Sequence, residues 1–156
     1  MSIPEVSEIK VRVNYSETDQ MGVVYHARYL VWLDVARTEH LRLSGTSYRD
    51  LENEGLRLVV SDVAIRYRRP AKFDDVIRVR CWVREVATRR VDFGYAVEDC
   101  IDGRLLATAS TGLISLGADM RLRTIPDKVR QALRVVPDPV RLGVTATTQR
   151  MQSDEK

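Results

Sequence analysis

A single long segment without proline or glycine, residues 23–44, constrains most strongly how this chain of 156 residues can fold. From about His26 to Leu43 its apolar residues recur at spacings of three and four, which is typical of an amphipathic helix, and Gly45 follows as a stop signal. At 1.5 Å per residue such a helix is roughly 25 Å long. The breadth of its apolar stripe predicts that it packs deep against a sheet.

The segments around this helix predict mainly β-strands. Apolar and polar residues alternate from Ile9 to Tyr15, and Asp102–Gly103 indicates a tight turn between two later strands. Thr46 or Ser47 is expected to cap a short second helix that runs through Glu54. Four further strands are predicted over residues 59–67, 76–86, 91–99 and 104–116, and a short third helix over residues 127–133.

The order of these elements determines the predicted fold class. One strand, two helices and four consecutive strands show no βαβ repeat, so we expect an α+β fold in which an antiparallel sheet wraps around one long helix. Residues 1–134 are expected to form a single domain, and residues 135–156 a flexible C-terminal tail, because that segment is punctuated by proline and then polar. Since such a sheet has exposed edges, we expect edge-to-edge dimerisation into a larger sheet.

The composition fits a globular protein, with 44% hydrophobic and 30% charged residues. The net charge of +3 does not indicate nucleic acid, because acidic residues are mixed with the arginines along the chain, and an anionic small molecule fits equally well. No apolar run reaches the roughly 20 residues of a membrane span, and the N-terminus has no signal-peptide pattern. Cys81 and Cys100 are expected to be reduced. We therefore expect a cytoplasmic protein with no nucleic-acid partner and no membrane span.

Several common kinds of site are disfavoured. The chain has no Gly-x-Ser-x-Gly nucleophile motif, no Gly-x-x-x-x-Gly-Lys phosphate loop and no Gly-x-Gly-x-x-Gly dinucleotide motif. His26 and His40 are the only histidines, and almost four helical turns separate them. We therefore expect neither a metal site nor a cofactor.

One carboxylate lies where acyl-transfer chemistry is favourable. Asp19 belongs to a loop that contains Gly22 and directly precedes the long helix. Free N–H groups at a helix N-terminus can polarise a thioester carbonyl and stabilise the oxyanion formed on attack. Asp19 can then act as a nucleophile or as a general base on water. Spacing alone favours a plainer interpretation, a turn in which Asp19 accepts local hydrogen bonds.

The sequence around this loop resembles a known family. The segment Tyr15–Leu30, followed by Asp34–Glu39, is similar to the opening of the 4-hydroxybenzoyl-CoA thioesterase family, and within it to the branch of short-chain acyl-CoA thioesterases associated with Tol-Pal. The likeness continues through Tyr67–Ala71 and Asp74–Asp75 and covers roughly residues 8 to 130. It implies the hot-dog fold, an acyl-CoA substrate and assembly as a homodimer or homotetramer.

The resemblance also implies roles for residues of the loop. By position, Asp19 corresponds to the family's catalytic carboxylate, and the backbone amide of His26 to the group that polarises the thioester carbonyl. Gly22 shapes the loop between them. The His26 ring is either a second polar group facing the thioester or a packing side chain. Tyr25 is expected to be a pocket wall that can line the acyl site.

For the CoA moiety, the resemblance implies basic residues at the start of the strand that begins with Arg89 and Arg90, because guanidinium groups suit nucleotide phosphates. A solvated hairpin charge explains these two arginines equally well. A second basic cluster, which can bind phosphate or line a subunit interface, comprises Arg66, Arg68, Arg69 and Lys72.

Two alternative functions stay open beside acyl-CoA hydrolysis. The first is hydrolysis of acyl groups carried by acyl carrier protein, which presents the same pantetheine arm without the nucleotide. The second is a hot-dog protein that binds without turnover. The chain also has Ser16–Glu17 and Gln20–Met21 where the branch more often shows Glu-Asp and Ala-Gly, so the resemblance leaves the acyl-chain preference undetermined.

Overall fold

The structure is a computed structural model that describes residues 5–144. Within these residues the chain forms one five-stranded sheet, a short 3-10 turn (Tyr15–Glu17) and three α-helices. In chain order the strands and helices are β1 (Val6–Arg12), α1 (Arg28–Leu43), α2 (Tyr48–Asn53), β2 (Leu56–Tyr67), β3 (Val76–Val86), β4 (Arg90–Asp99), β5 (Leu105–Gly117) and α3 (Asp127–Ala132).

The sheet has the strand order β1-β3-β4-β5-β2, and every neighbouring pair is antiparallel. Strands β3, β4 and β5 are joined consecutively, whereas β1 and β2 lie at the two edges. This arrangement confirms the predicted α+β class and the hot-dog fold, with the helices on an antiparallel sheet. β2 runs the length of the sheet, so its first and last residues, Leu56 and Tyr67, lie at opposite ends of the sheet.

Helix α1 supplies much of the hydrophobic core. The shared cluster of buried side chains joins its inner face to β3, β4 and β5. Burial of each large apolar side chain stabilises the fold by about 1.5–3 kcal/mol. No helix within the described residues is long and apolar enough to span a bilayer. The buried apolar side chains of α1 are Tyr29, Trp32, Leu33, Ala36 and Leu41.

Two predicted boundaries near the loop between β1 and α1 are wrong by a few residues. β1 ends at Arg12 rather than at Tyr15, because the chain then turns into the 3-10 turn, where the Asn14 amide donates to Glu17 Oε1 at 2.9 Å. Helix α1 begins at Arg28 rather than at His26. The residues before it form a turn in which the Arg28 amide donates to the Tyr25 carbonyl at 2.9 Å.

A buried guanidinium fixes α1 against the sheet. Arg37 is 5% exposed and donates to the Tyr95 hydroxyl of β4 at 3.2 Å and to the Tyr48 hydroxyl of α2 at 2.7 Å. Its third contact, with Asp34 at 2.7 Å, supplies the compensating negative charge. Because a buried charge must be paired and hydrogen-bonded, this network permits one rotational setting of α1 on the sheet.

The segment that follows α3 packs against the sheet on the face opposite α1. Val135 forms a parallel bridge with Val83, and Asp138 accepts a hydrogen bond from Trp82 Nε1 at 2.8 Å. Leu142 is buried in a second small apolar cluster with Trp82. The sequence predicted a flexible tail from residue 135. The structure instead packs residues 135–144 on the sheet, where they cover Trp82, which is 0% exposed, while residues 145–156 lie outside the described part of the chain.

His40 is a buried histidine on α1 whose ring contacts polar groups of β1 and β3. Its Nδ1 lies 2.7 Å from Ser7 Oγ on β1, and its side chain is 2% exposed. Burial disfavours the charged imidazolium, which lowers the pKa of His40 below its usual value, although the nearby Cys81 carbonyl opposes this shift. His40 is therefore neutral in the folded protein near pH 7.

His40 is expected to make the protein less stable in mild acid. The unfolded state binds a proton at His40 below about pH 6.5, whereas the folded state does so only at lower pH, so the free energy of unfolding falls as the pH drops through 6.5. Each unit of pKa lowering corresponds to about 1.4 kcal/mol. Chemical denaturation between pH 7.5 and 5 measures this slope. His40→Gln should flatten this slope, and a slope equal to that of the wild-type protein would contradict the prediction.

Candidate active site

The loop between the 3-10 turn and α1 is a tight hairpin-like turn. The Asp19 amide donates to the Val23 carbonyl at 2.9 Å, and the Gly22 amide donates to the Asp19 carbonyl at 3.0 Å. Thr18 and Val24 form an antiparallel bridge that closes the turn. Gly22 has φ +78°, in the left-handed region, and a Cβ there would meet no atom within 4 Å. Backbone conformation rather than space therefore favours glycine at this position.

Asp19 is half-buried on this loop. Its Oδ1 accepts a hydrogen bond from the Met21 amide at 2.8 Å, which is the Asx-type turn contact that spacing alone suggested. No other partner of this carboxylate is found within residues 5–144, so acceptor positions stay available for water or substrate. The Met21 side chain is 85% exposed. The local turn and a chemical role for Asp19 are therefore compatible.

His26 lies in the turn two residues before α1. Its carbonyl accepts a hydrogen bond from the Tyr67 hydroxyl at 2.7 Å, which ties the turn to the end of β2. The neighbouring Tyr25 amide donates to the Glu17 carbonyl at 2.9 Å, whereas the His26 amide has no acceptor within the part of the chain that is described. The His26 ring is exposed and contacts the Tyr25 ring, with 4.6 Å between centroids. A free backbone donor is thus present at the predicted position.

Two clefts meet at Asp19. The first has a volume of about 310 Å³, contains Asp19 and His26, and has apolar walls that include Val24, Tyr29 and Tyr67. The second, of about 640 Å³, is more polar and open. Its lining includes Tyr15, Thr18, Asp19, Tyr25 and Arg28. A thioester whose carbonyl lies at Asp19 can therefore place the groups on its two sides in different clefts, one apolar and one more polar.

Tyr67, a wall residue of the first cleft, is kept neutral by burial. Desolvation raises the pKa of Tyr67 above its usual value. The hydroxyl therefore keeps its proton at neutral pH and can donate to the His26 carbonyl. Tyr67 belongs to the family-like segment, but no role for it followed from the sequence, because its contact with His26 cannot be read from a linear motif.

Of the basic residues proposed from sequence, Arg89 and Arg90 lie far from Asp19 in the same chain. Arg90 pairs in the sheet with Ile114, which in turn pairs with Val59 of β2. Tyr67, whose hydroxyl contacts His26, is eight residues further along β2, which corresponds to about 26 Å. The structure thus brings Asp19, Gly22, Tyr25 and His26 together but not the two arginines.

Arg90 is already neutralised within its own chain. Its Nη2 contacts Asp62 Oδ1 at 2.9 Å and its Nε contacts Asp92 Oδ1 at 2.9 Å. Arg89 is exposed and forms no ion pair within residues 5–144, so it is the freer cation of the two. Of the second basic cluster, Arg68 and Arg69 line the first cleft.

Comparison with known proteins agrees with this architecture. A family model described as the Thioesterase-like superfamily matches residues 13–133. Acyl-CoA thioesterase YbgC of Haemophilus influenzae is 39% identical over 123 residues, which cover 78% of this chain and 90% of that protein. A hypothetical protein of Thermus thermophilus, TT1821, superposes with a TM-score of 0.77 at 36% identity over 81% of this chain and 96% of that one. DHNA-CoA thioesterase of Staphylococcus aureus superposes with a TM-score of 0.75 at 26% identity, over 97% of this chain and 95% of that one.

The five-stranded antiparallel sheet with α1 packed on it is the hot-dog architecture of thioesterases. Because the family model matches most of the sequence, the chain belongs to the Thioesterase-like superfamily. It is a thioester hydrolase.

The left-handed conformation at Gly22 gives a test of the loop. Gly22→Ala is expected to lower the free energy of unfolding by about 1–2 kcal/mol, because a Cβ is disfavoured at positive φ, and also to lower kcat by displacing Asp19 from the His26 amide. Gly45→Ala is the matched control, since Gly45 has φ +84°, equally open surroundings and a position at the far end of α1. Thermal unfolding and steady-state kinetics would separate the two effects. Equal kcat losses in both variants would contradict a specific role for the Gly22 turn.

Proposed function

We propose that the chain hydrolyses the thioester of a small or medium acyl-CoA, with Asp19 as nucleophile or general base and the His26 amide polarising the carbonyl. The observation that carries this proposal is that Asp19 and His26, whose amide has no acceptor within residues 5–144, line one cleft. The name of the Haemophilus relative supports CoA as the thiol carrier. The motif around Asp19 favours the short-chain acyl-CoA branch associated with Tol-Pal within the 4-hydroxybenzoyl-CoA thioesterase family.

The chemistry needs two groups with different tasks. The His26 amide donates to the thioester oxygen and stabilises the negative charge that develops there. In the general-base route, Asp19 takes a proton from water as the water oxygen bonds to the carbonyl carbon, and collapse of the tetrahedral intermediate breaks the carbon–sulfur bond. In the nucleophilic route, Asp19 bonds to the carbon, expels the thiolate and forms an anhydride that water then cleaves. Both routes consume one water and yield a carboxylate and the free thiol.

We propose a homodimer formed through β2, or a homotetramer built from such dimers. β2 is an edge strand, and it carries half-exposed Val59, Val60 and Val63. Exposed strand edges with apolar side chains favour pairing with another chain. Antiparallel pairing of two β2 strands would place the Arg89 end of one copy beside the Asp19 end of the other. This geometry offers Arg89 as a phosphate contact for substrate bound to the second copy.

We place the protein in the cytoplasm. Cys81 and Cys100 are both free thiols, which fits a reducing compartment.

Replacing the proposed catalytic carboxylate tests the function directly. Asp19→Asn should lower kcat for acyl-CoA hydrolysis by about 10²–10⁴-fold, because the amide can neither accept a proton nor attack efficiently. Release of free CoA thiol from a panel of acyl chain lengths measures the activity.

The matched control is Asp119→Asn. Asp119 Oδ1 accepts the amide of Arg121 at 3.1 Å, the same Asx-type contact that Asp19 makes with Met21, but outside the clefts. This variant should retain wild-type kcat and a similar thermal midpoint. An active Asp19→Asn enzyme would refute the assignment, and a wild-type chain inactive on every thioester would favour the non-catalytic alternative.

Arg89 distinguishes acyl-CoA from acyl carrier protein as the substrate. Arg89→Ala should raise KM for acyl-CoA, by roughly 5- to 150-fold if a charge-assisted phosphate contact of about 1–3 kcal/mol is lost. The same acyl group on pantetheine, which has no nucleotide, should show an unchanged KM. Arg90→Ala is expected instead to lower stability by removing the ion pairs to Asp62 and Asp92. Equal KM changes for both substrates would argue against a nucleotide contact at Arg89.

A further inference from the structure

Glu17 is a deeply buried carboxylate directly beside the Asp19 loop. It lies at the end of the 3-10 turn, two residues before Asp19, and is 3% exposed. The other buried carboxylic acids within the described residues, Glu98 and Asp99, are each 8% exposed. A charge removed from water to this extent is retained only where several donors compensate it. The identity of these donors indicates what Glu17 does.

The Glu17 side chain collects donors from three separate parts of the chain. Its Oε1 accepts the Asn14 amide at 2.9 Å, at the point where the chain leaves β1. Its Oε2 accepts Trp32 Nε1 at 3.1 Å, from the buried face of α1, and faces Arg28 Nε and Nη2 at 3.4 Å each, from the first turn of α1. One carboxylate thus connects the start of the loop to the helix that follows it.

The Glu17 backbone fastens the other end of the loop. Its carbonyl accepts the Tyr25 amide at 2.9 Å, immediately before the peptide that presents the His26 N–H. The side-chain and backbone contacts together hold both ends of the segment from Thr18 to Tyr25. The distance and angle between the Asp19 carboxylate and the His26 amide therefore depend on Glu17.

We infer that Glu17 is a positioning residue that holds the Asp19 carboxylate and the His26 amide in register for the reaction, an inference that rests on the proposed function. Glu17 does not line either cleft, so it acts through the loop whose two ends it holds. Displacing catalytic groups by about 1 Å can cost on the order of 10²-fold in rate. Substrate binding, which depends on the cleft walls, depends much less on Glu17.

The test is Glu17→Gln, which keeps the size of the side chain and one acceptor oxygen but places an amide NH₂ against the Trp32 and Arg28 donors. We expect kcat to fall about 10- to 100-fold with KM unchanged. The matched control is Glu98→Gln. Glu98 is also buried and accepts Arg80 at 2.7 Å, but it lies on β4 away from both clefts. It should lose thermal stability with kcat retained.

Trp32→Phe provides a second variant, because it removes the indole N–H and keeps a smaller aromatic ring in the core. Trp32→Phe should lower kcat by a smaller factor than Glu17→Gln does. It provides the test if Glu17→Gln does not fold. Wild-type kcat in the folded variants would overturn the inference. A change confined to the thermal midpoint, as in Glu98→Gln, would likewise reduce Glu17 to a structural role.

A second measurement separates this inference from the proposed function. Amide hydrogen exchange followed by mass spectrometry measures how well the backbone amides of residues 18–26 are protected, and it needs no substrate. Glu17→Gln should accelerate exchange in this segment, where the Asp19, Val24 and Tyr25 amides are hydrogen-bonded, and Glu98→Gln should not. Should the wild-type chain hydrolyse no thioester, the proposed function fails while exchange still tests the positioning role. Unchanged exchange in residues 18–26 would overturn that role.

Discussion

The packing of α1 on the sheet is the contact on which the other features depend. Its apolar face fills the core, and the buried Arg37 network fixes its rotation by joining it to Tyr95 and Tyr48. With α1 fixed, the turn that precedes it has a defined position against the end of β2, where Tyr67 reaches the His26 carbonyl. The position of the His26 amide therefore depends on how the buried face of α1 packs in the core. Stability of the fold and geometry of the site have a common origin.

Most of the architecture could be predicted from the sequence because alternation and helical spacing are local signals. The strands over 76–86 and 91–99 and the long helix agree with the structure to within one or two residues. The location of the site followed from the segment around Asp19, where a glycine with positive φ and a carboxylate lie close together along the chain. Contacts within one turn are encoded by neighbours in sequence, so a linear motif is sufficient to find them.

Long-range contacts were not predictable in the same way. Glu17 follows a strand that alternates apolar and polar residues, and nothing in that pattern distinguishes a solvated acid from one buried beneath Trp32. Arg90 was a candidate phosphate ligand, and its partner Asp92 is two residues further along β4, but its other partner Asp62 becomes a neighbour only through strand register. The turn at Tyr25–Ala27 also shifted the start of α1, because the Arg28 amide bonds within the turn. The burial of Glu17 and the pairing of Arg90 with Asp62 depend on which elements the fold brings together, whereas the start of α1 is set by a local hydrogen bond.

The segment 135–144 has a consequence for how copies of the chain can stack. It packs on the sheet face opposite α1 and covers Trp82, whose indole N–H donates a hydrogen bond to Asp138. A second sheet could approach that face closely only by expelling this segment and leaving the indole N–H without its carboxylate. Close back-to-back stacking of two sheets over Trp82 is thereby obstructed. Ten residues with two prolines thus shield this part of the sheet face from contact with another chain.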